Sequence, residues 1–241
     1  MKDKSWLSRT ALLIGDERLD KLINSHVMVI GLGGVGSFAA EYICRSGVGK
    51  MTIIDGDTVD PTNRNRQLPA LSTNHGQPKA EIMAERLKAI NPEVELNVIK
   101  EFINPEMVAT LLELKPDYIL DGIDSLSPKI TFIEQAVKSG IPFVSAMGAG
   151  GKMDPTRLKV VDISKTYNCP FALKVRKRLK KYGIYKGVKA VFSDEMPVEE
   201  SMMLTDGTNF KKSFYGTNSY MPAAFGGVLA SVAIRDIIEW Q

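Results

Sequence analysis

Cysteine is nearly absent from this chain. Only Cys44 and Cys169 occur in 241 residues, and no CxxC pair is present. That excludes a four-cysteine structural zinc site, and no zinc is expected. Two unpaired thiols suit a reducing compartment, so a cytoplasmic location is expected. Long apolar runs are also missing. The most apolar stretch, Met221 to Ile234, spans 14 residues before Arg235, short of the ~20 that a spanning helix needs. It reads as a buried or interface helix, with peripheral contact between the C-terminal helix and a membrane left open. Lys2, Asp3 and Lys4 lead into Trp6 and Leu7 without an apolar core segment, so no signal peptide is expected. There is no repeat, no low-complexity run and no long Pro/Gly/Ser linker. Histidine is scarce: His26 begins a strand and His75 lies in a loop, and both read as polar rather than catalytic.

What is there is the balance of a globular protein, 44% hydrophobic and 24% charged. A chain of this length buries roughly 70% of its unfolded surface, so it needs no covalent or metal staple. Short apolar runs at 26–31, 50–55, 94–99, 117–121 and 141–146 read as strands. They alternate with helical patterns at 34–46, 78–90, 104–114, 127–139 and 168–182, after a first helix at 9–23 and before a last one near 221–239. This predicts an α/β fold, a Rossmann-like, mostly parallel sheet with helices on both faces. Strands near 158–163 and 188–193 extend it into a less regular second half. The segment 197–219 reads as an ordered loop or a lid. One domain is expected over 1–241, with a nucleotide-binding half (1–150) and a substrate-binding half (151–241).

Gly31, Gly33 and Gly36 form GxGxxG directly after a strand and at the opening of a helix, with Gly34 in the same turn. Such a turn brings phosphate against exposed N–H groups at the positive end of the helix. Asp55 lies 19 residues past Gly36, at the end of the second strand, where a carboxylate can hold ribose hydroxyls; Asp57 follows it. This set predicts adenine-nucleotide binding without separating NAD from ATP. The sequence then runs through Asn63-Arg-Asn-Arg66-Gln67 to Gly76-Gln-Pro-Lys79. A protein that only docks a dinucleotide has no evident use for these cations. Attack on the α-phosphorus of a triphosphate requires neutralisation of the departing pyrophosphate, which fixed cations in a partly dry cleft provide. Arg66 and Lys79 are the first choices, with Asn63 as a neutral donor. Asp124, at the end of the fourth strand, is a candidate magnesium contact; Asp121 is as well read as a structural carboxylate.

Gly31–Gly36, Asp55, Asn63-x-x-Arg66-Gln67, Gly76-x-Pro-Lys79 and Asp121-x-x-Asp124 together resemble the ubiquitin-activating-enzyme-like adenylating superfamily over about residues 9–150. The resemblance implies that Arg66 and Lys79 contact ATP phosphates and that Asp124 contacts magnesium. It also implies that Arg9 reaches across a homodimer interface. Arg9-Thr-x-x-Leu-x-Gly15, Asp124-Ser125-x-x-x-Lys129, Gly148-Ala-Gly-Gly-x-x-Asp-Pro155, Asp162-x-x-Lys165-Thr166 and Phe192-Ser193-x-Glu195 resemble one branch more closely, the tRNA-modifying dehydratases. That branch implies ATP-dependent cyclisation of threonylcarbamoyladenosine beside the anticodon, through an acyl-adenylate. Ring closure needs no enzyme nucleophile because the attacking group is already tethered. Cys44 reads as core and Cys169 as a partly buried structural thiol. No cysteine lies in 210–226, which puts a sulfur-relay partner in doubt. Eight cations fall within 174–189; of these Lys174, Arg176, Lys177, Arg178, Lys180 and Lys181 are the tRNA candidates, with Tyr182 and Tyr185 available for stacking. The turn 148–151 either shapes the substrate pocket or simply turns the chain, and some relatives bind a monovalent cation (Na⁺ or K⁺) in this sort of region. The competing readings are an adenylyltransferase for a small sulfur-carrier protein, an NAD-dependent oxidoreductase, and a nucleotide-sensing module without catalysis.

Overall fold

The computed structural model describes residues 3–205 and 213–240. Seven strands form the central sheet: β1 (His26–Ile30), β2 (Lys50–Ile54), β3 (Glu95–Ile99), β4 (Tyr118–Asp121), β5 (Phe143–Ala146), β6 (Leu158–Asp162) and β7 (Lys189–Ser193). Their spatial order is β3-β2-β1-β4-β5-β7-β6. All neighbours pair in parallel except the edge pair β6–β7. Strands from both halves of the sequence thus share one sheet. Alternate residues of β1 face opposite layers, as the strand period requires. Val27 and Val29 pack on α2 (Asp16–Asn24), α3 (Gly36–Arg45), α4 (Lys79–Ile90) and α8 (Tyr220–Ile237), whereas Met28 and Ile30 pack on α5 (Pro105–Glu113), α6 (Leu126–Ser139) and α7 (Pro170–Leu179). Burial on both faces explains why the strands read as continuous apolar runs.

Two expectations change. The single helix at 9–23 is two, α1 (Ser8–Ile14) and α2, broken at Gly15 with φ of +83°. That left-handed conformation suits glycine, and no other residue in the run would adopt it cheaply. Within 197–219, β8 (Met202–Leu204) and β9 (Ser213–Tyr215) pair as an antiparallel hairpin. Its strands are only three residues each, too short to show a period in sequence; residues 206–212 of that segment lie outside the described residues. No helix among the described residues is long and apolar enough to cross a membrane.

The chain leaves β1 toward β2 and β3 on one side and later returns to β4 on the other. The order reverses between β1 and β4, which opens a crevice at their carboxyl ends, where open sheets of this kind bind ligands.

Candidate nucleotide site

The glycine turn fills the crevice between β1 and β4. Gly31 N–H donates to the Ile54 carbonyl at 2.8 Å, and Gly122 N–H donates to the Ile30 carbonyl at 2.9 Å. A Cβ on Gly36 would lie 1.7 Å from the Gly31 carbonyl oxygen, so this position requires glycine for helix and strand to pack. A Cβ on Gly34 would meet Pro222 at 2.9 Å, because the start of α8 closes over the turn. Gly33 differs. A Cβ there would meet nothing nearer than Gln67 Nε2 at 3.8 Å. The turn is therefore open at Gly33, beside the amino end of α3, and the Gln67 Oε1 atom is buried without a hydrogen-bond partner. An open backbone turn and a helix amino end fit a bound phosphate chain.

Asp55, the residue expected to hold the ribose, lies just past β2 with both carboxylate oxygens accepting from backbone N–H groups. Its Oδ2 accepts from Leu32 N–H at 2.5 Å and its Oδ1 from Asp57 N–H at 2.8 Å. It anchors the glycine turn to the end of β2. Burial pushes its carboxyl above the ordinary value, while Lys79 and the two N–H donors pull it back. Its neighbour Asp57 pairs with Lys79 Nζ at 3.1 Å. Lys79 is buried, 4% exposed, at the first position of α4. Its own N–H donates to the Asp57 carbonyl at 3.0 Å, and Thr58 bridges to Pro78. The Gly76-Gln-Pro-Lys segment thus presents a desolvated ammonium at the carboxyl end of β2.

A short turn, Pro61–Asn63, presents the second cation. Asp60 caps it, and the buried Asn63 returns its Oδ1 to Asp60 N–H at 3.1 Å. Since that oxygen accepts, the amide end of Asn63 is the donor that remains for a ligand. The Asn63 carbonyl accepts from the N–H of both Arg66 and Gln67, which fixes the arginine. Arg66 is half-buried and donates to the Thr62 carbonyl at 2.9 Å and to Asn65 Oδ1 at 2.8 Å. Burial lowers its pKa and the negative charge of Asp124 raises it, so Arg66 and Asp124 share one electrostatic environment. Arg64 is exposed. Asp124 is exposed at the carboxyl end of β4, with Ser125 Oγ donating to it at 3.4 Å. No cluster of three His, Cys, Asp or Glu side chains exists among the described residues. A carboxylate beside these cations fits magnesium, which takes one or two carboxylates and completes its shell from phosphate and water.

Beneath Asp124 lies a buried group whose partnership the sequence did not disclose. Lys129 and Asp121 are both 0% exposed and pair at 2.6 Å. Ser145 Oγ donates to the same Asp121 oxygen at 2.6 Å, Lys129 Nζ donates to Ser145 Oγ at 3.0 Å, and Ile123 N–H donates to Asp121 Oδ1 at 3.0 Å. Asp121 is thus a structural carboxylate that holds the β4–α6 turn from below. The 3.6-residue spacing places Lys129 on the inner face of α6, the one signal that would have flagged a buried lysine.

Two further expectations meet their surroundings. Cys44 and Cys169 are both buried and free, and burial pushes the Cys44 thiol up to about 12. Gly150 and Gly151 pack against Tyr215 and Pro197, and Gly151 N–H donates to the Gly216 carbonyl. The 148–151 turn therefore holds Pro197 and residues 215–217 beside the crevice, where Asn65 Nδ2 donates to the Thr217 carbonyl at 2.8 Å. On α7 and just after it, Lys174, Lys177, Arg178, Lys180 and Lys181 are exposed. Arg176 departs from them: it turns inward and donates to the Thr166 carbonyl and hydroxyl. Arg9 is exposed on α1, next to Leu12 (89% exposed) and Leu13 (73% exposed).

The sequence pattern of the ThiF family matches residues 7–241. Over 239 residues the chain is 41% identical to a tRNA threonylcarbamoyladenosine dehydratase of Bacillus subtilis, covering 96% of this chain and 94% of that one. Solved structures of the E. coli tRNA N6-threonylcarbamoyladenosine dehydratase, TcdA, in complex with ATP and with AMP superpose with TM-scores of 0.89 at 39% identity, covering 98% of this chain and 95% of theirs.

Proposed function

The chain belongs to the ThiF family, and from that premise we propose that it is an ATP-dependent enzyme that dehydrates threonylcarbamoyladenosine in tRNA through an acyl-adenylate. The observation that carries this reading is the arrangement around Gly33. Two positioned cations, Lys79 and Arg66, adjoin an open glycine turn at the point where the strand order reverses. Similarity along nearly the whole chain to dehydratases of that name supports the substrate.

Each group has a chemical task. The amino end of α3 and the Gly33 backbone receive phosphate oxygens. Lys79 and Arg66 neutralise the charge that builds on the α-phosphorus and on the departing pyrophosphate, with the Asn63 amide as a neutral donor. Asp55 takes the ribose hydroxyls on the lone pairs its two N–H donors leave free, and also keeps the turn in place, with Asp57 beside it. Asp124 holds magnesium, which when bound adds charge neutralisation at the phosphates. A sodium or potassium ion would take backbone carbonyls of the 148–151 turn; Gly151 gives its carbonyl to Val198 N–H, so Gly148, Ala149 and Gly150 are its candidates. The threonyl carboxylate attacks the α-phosphorus, an acyl-adenylate forms and pyrophosphate leaves. The neighbouring carbamoyl group then closes on the activated carbonyl, displacing AMP with release of one proton. One carboxyl oxygen departs with AMP, so the nucleoside loses one water in total. Tethering supplies the second step with an effective molarity on the order of 10⁵ M. No enzyme thiol is required, in keeping with the burial of both cysteines. The enzyme works in the cytoplasm on tRNA, as a homodimer in which the partner's copy of Arg9 completes the phosphate site.

Mass spectrometry of nucleosides from threonylcarbamoylated tRNA, incubated with the protein and ATP, tests the reaction. The expected result is loss of one water from the modified adenosine, dependent on ATP and abolished by Lys79→Ala. An unchanged nucleoside alongside ATP-dependent adenylation of a sulfur-carrier protein would overturn the reading.

A further inference from the structure

The 31 positions from Ile163 to Ser193 hold nine lysines and arginines and no acidic residue. The fold does not spread this charge evenly about the nucleotide crevice. The start of α7 lies near the carboxyl end of β5, where a Cβ on Gly148 would meet Phe171 at 3.2 Å. Ten residues and about 15 Å later the helix ends at the opposite edge of the sheet. There Ile184 N–H donates to the Leu179 carbonyl, and Ile163 N–H to the Val188 carbonyl just ahead of β7. At that far end a cavity of about 350 Å³ opens between the Ile163–Lys165 turn and the end of α7, with Ser164, Thr166, Arg176, Lys180 and Tyr185 in its walls.

The walls carry anion-binding chemistry. Arg176 is fixed in place by Thr166, so its charge is held rather than floating. Lys180 is exposed at the rim, and Tyr185 is 64% exposed. The nearest acid in sequence, Asp162, gives its oxygens to Ser164 N–H, Ser164 Oγ and Gly187 N–H. A fixed guanidinium, an exposed ammonium and a phenol hydroxyl are groups that hold a nucleic-acid backbone and position it without reading bases.

We propose that this pocket grips the ribose–phosphate backbone of an RNA stem, a helix length away from the reacting nucleoside. The proposal rests on the tRNA reading above and adds to it a second contact that only a folded arm can reach. The loop nucleotide enters the crevice while the stem runs down α7, past Lys174, Lys177 and Arg178, to Lys180 and Tyr185. The enzyme thereby selects a loop carried on a stem over the modified nucleoside or a short single strand.

The test compares Lys180→Glu/Tyr185→Ala with the unmutated enzyme on two substrates: full-length threonylcarbamoylated tRNA, and a single-stranded oligonucleotide carrying the same modified loop without its stem. The expected result is a KM for tRNA raised about tenfold or more with kcat unchanged. The slope of log affinity against log salt should shrink by about one, as for loss of one phosphate contact. Kinetics on the oligonucleotide should not change. Equal loss on both substrates, or no change on tRNA, would overturn the stem contact while dehydration by the unmutated enzyme still upheld the reaction. Failure of the unmutated enzyme to dehydrate any RNA would remove both.

Discussion

Each glycine of the nucleotide turn does a separate job, and the jobs can be told apart by substitution. Gly36→Ala places a methyl 1.7 Å from a carbonyl oxygen, a distance no relaxation of a side chain can relieve. It should lower the melting temperature sharply or prevent folding. Gly33→Ala meets only the end of Gln67 and should leave the melting temperature within a few degrees. It puts the methyl where the proposed site receives a phosphate, so ATP affinity measured by calorimetry should fall by tenfold or more. Equal effects on stability at both positions would contradict the division. The motif itself reserves the second glycine for phosphate and the third for helix–strand packing; what it does not show is that Gly34 is closed by Pro222, far along the chain. The motif spacing locates Asp55 at the end of β2, and only the fold shows that its oxygens also hold the Leu32 and Asp57 N–H groups.

At the scale of elements, strands and helices of the sheet were legible because burial on both faces leaves an unbroken apolar signature. The first helix was misread as continuous since a lone glycine in a periodic run looks tolerable until its backbone turns left-handed. The β8–β9 hairpin was not legible at all. The β4–α6 junction was legible as a motif and opaque as physics: Asp124 and Lys129 were both noted, yet the lysine's partner, Asp121, is eight residues away and fully buried. Removing one member of such a pair leaves an uncompensated charge in the interior, which typically costs about 3–5 kcal/mol. Lys129→Met should therefore destabilise the protein by about that amount in urea denaturation. A double variant, Lys129→Met/Asp121→Asn, should recover part of the loss. A Lys129→Met protein as stable as the parent would show that the pair does not hold the turn.

Across the whole molecule, the proposed reading assigns reaction to one charged region and recognition to the other, and makes α1 the link to a second subunit. Arg9 is exposed on a helix whose Leu12 and Leu13 are also bare, a combination that suits a self-complementary interface. If Arg9 acts on the partner's phosphates, Arg9→Ala and Lys79→Ala proteins should each be inactive alone. Mixed after co-refolding, they should regain activity in heterodimers, where one of the two sites has both residues intact. An ideal statistical mixture would return about a quarter of the parent rate, from half the dimers carrying one good site each. No recovery on mixing, with dimers confirmed by sedimentation, would mean that Arg9 serves its own subunit or none.

The most direct measurement follows one oxygen atom. tRNA whose threonylcarbamoyl carboxylate is enriched in ¹⁸O is incubated with enzyme and ATP, and the released nucleotides are analysed by mass spectrometry. Attack of that carboxylate on the α-phosphorus predicts AMP carrying a single ¹⁸O, with unlabelled pyrophosphate. Label in phosphate or pyrophosphate, or AMP without label from a turnover that still yields the cyclised nucleoside, would contradict it.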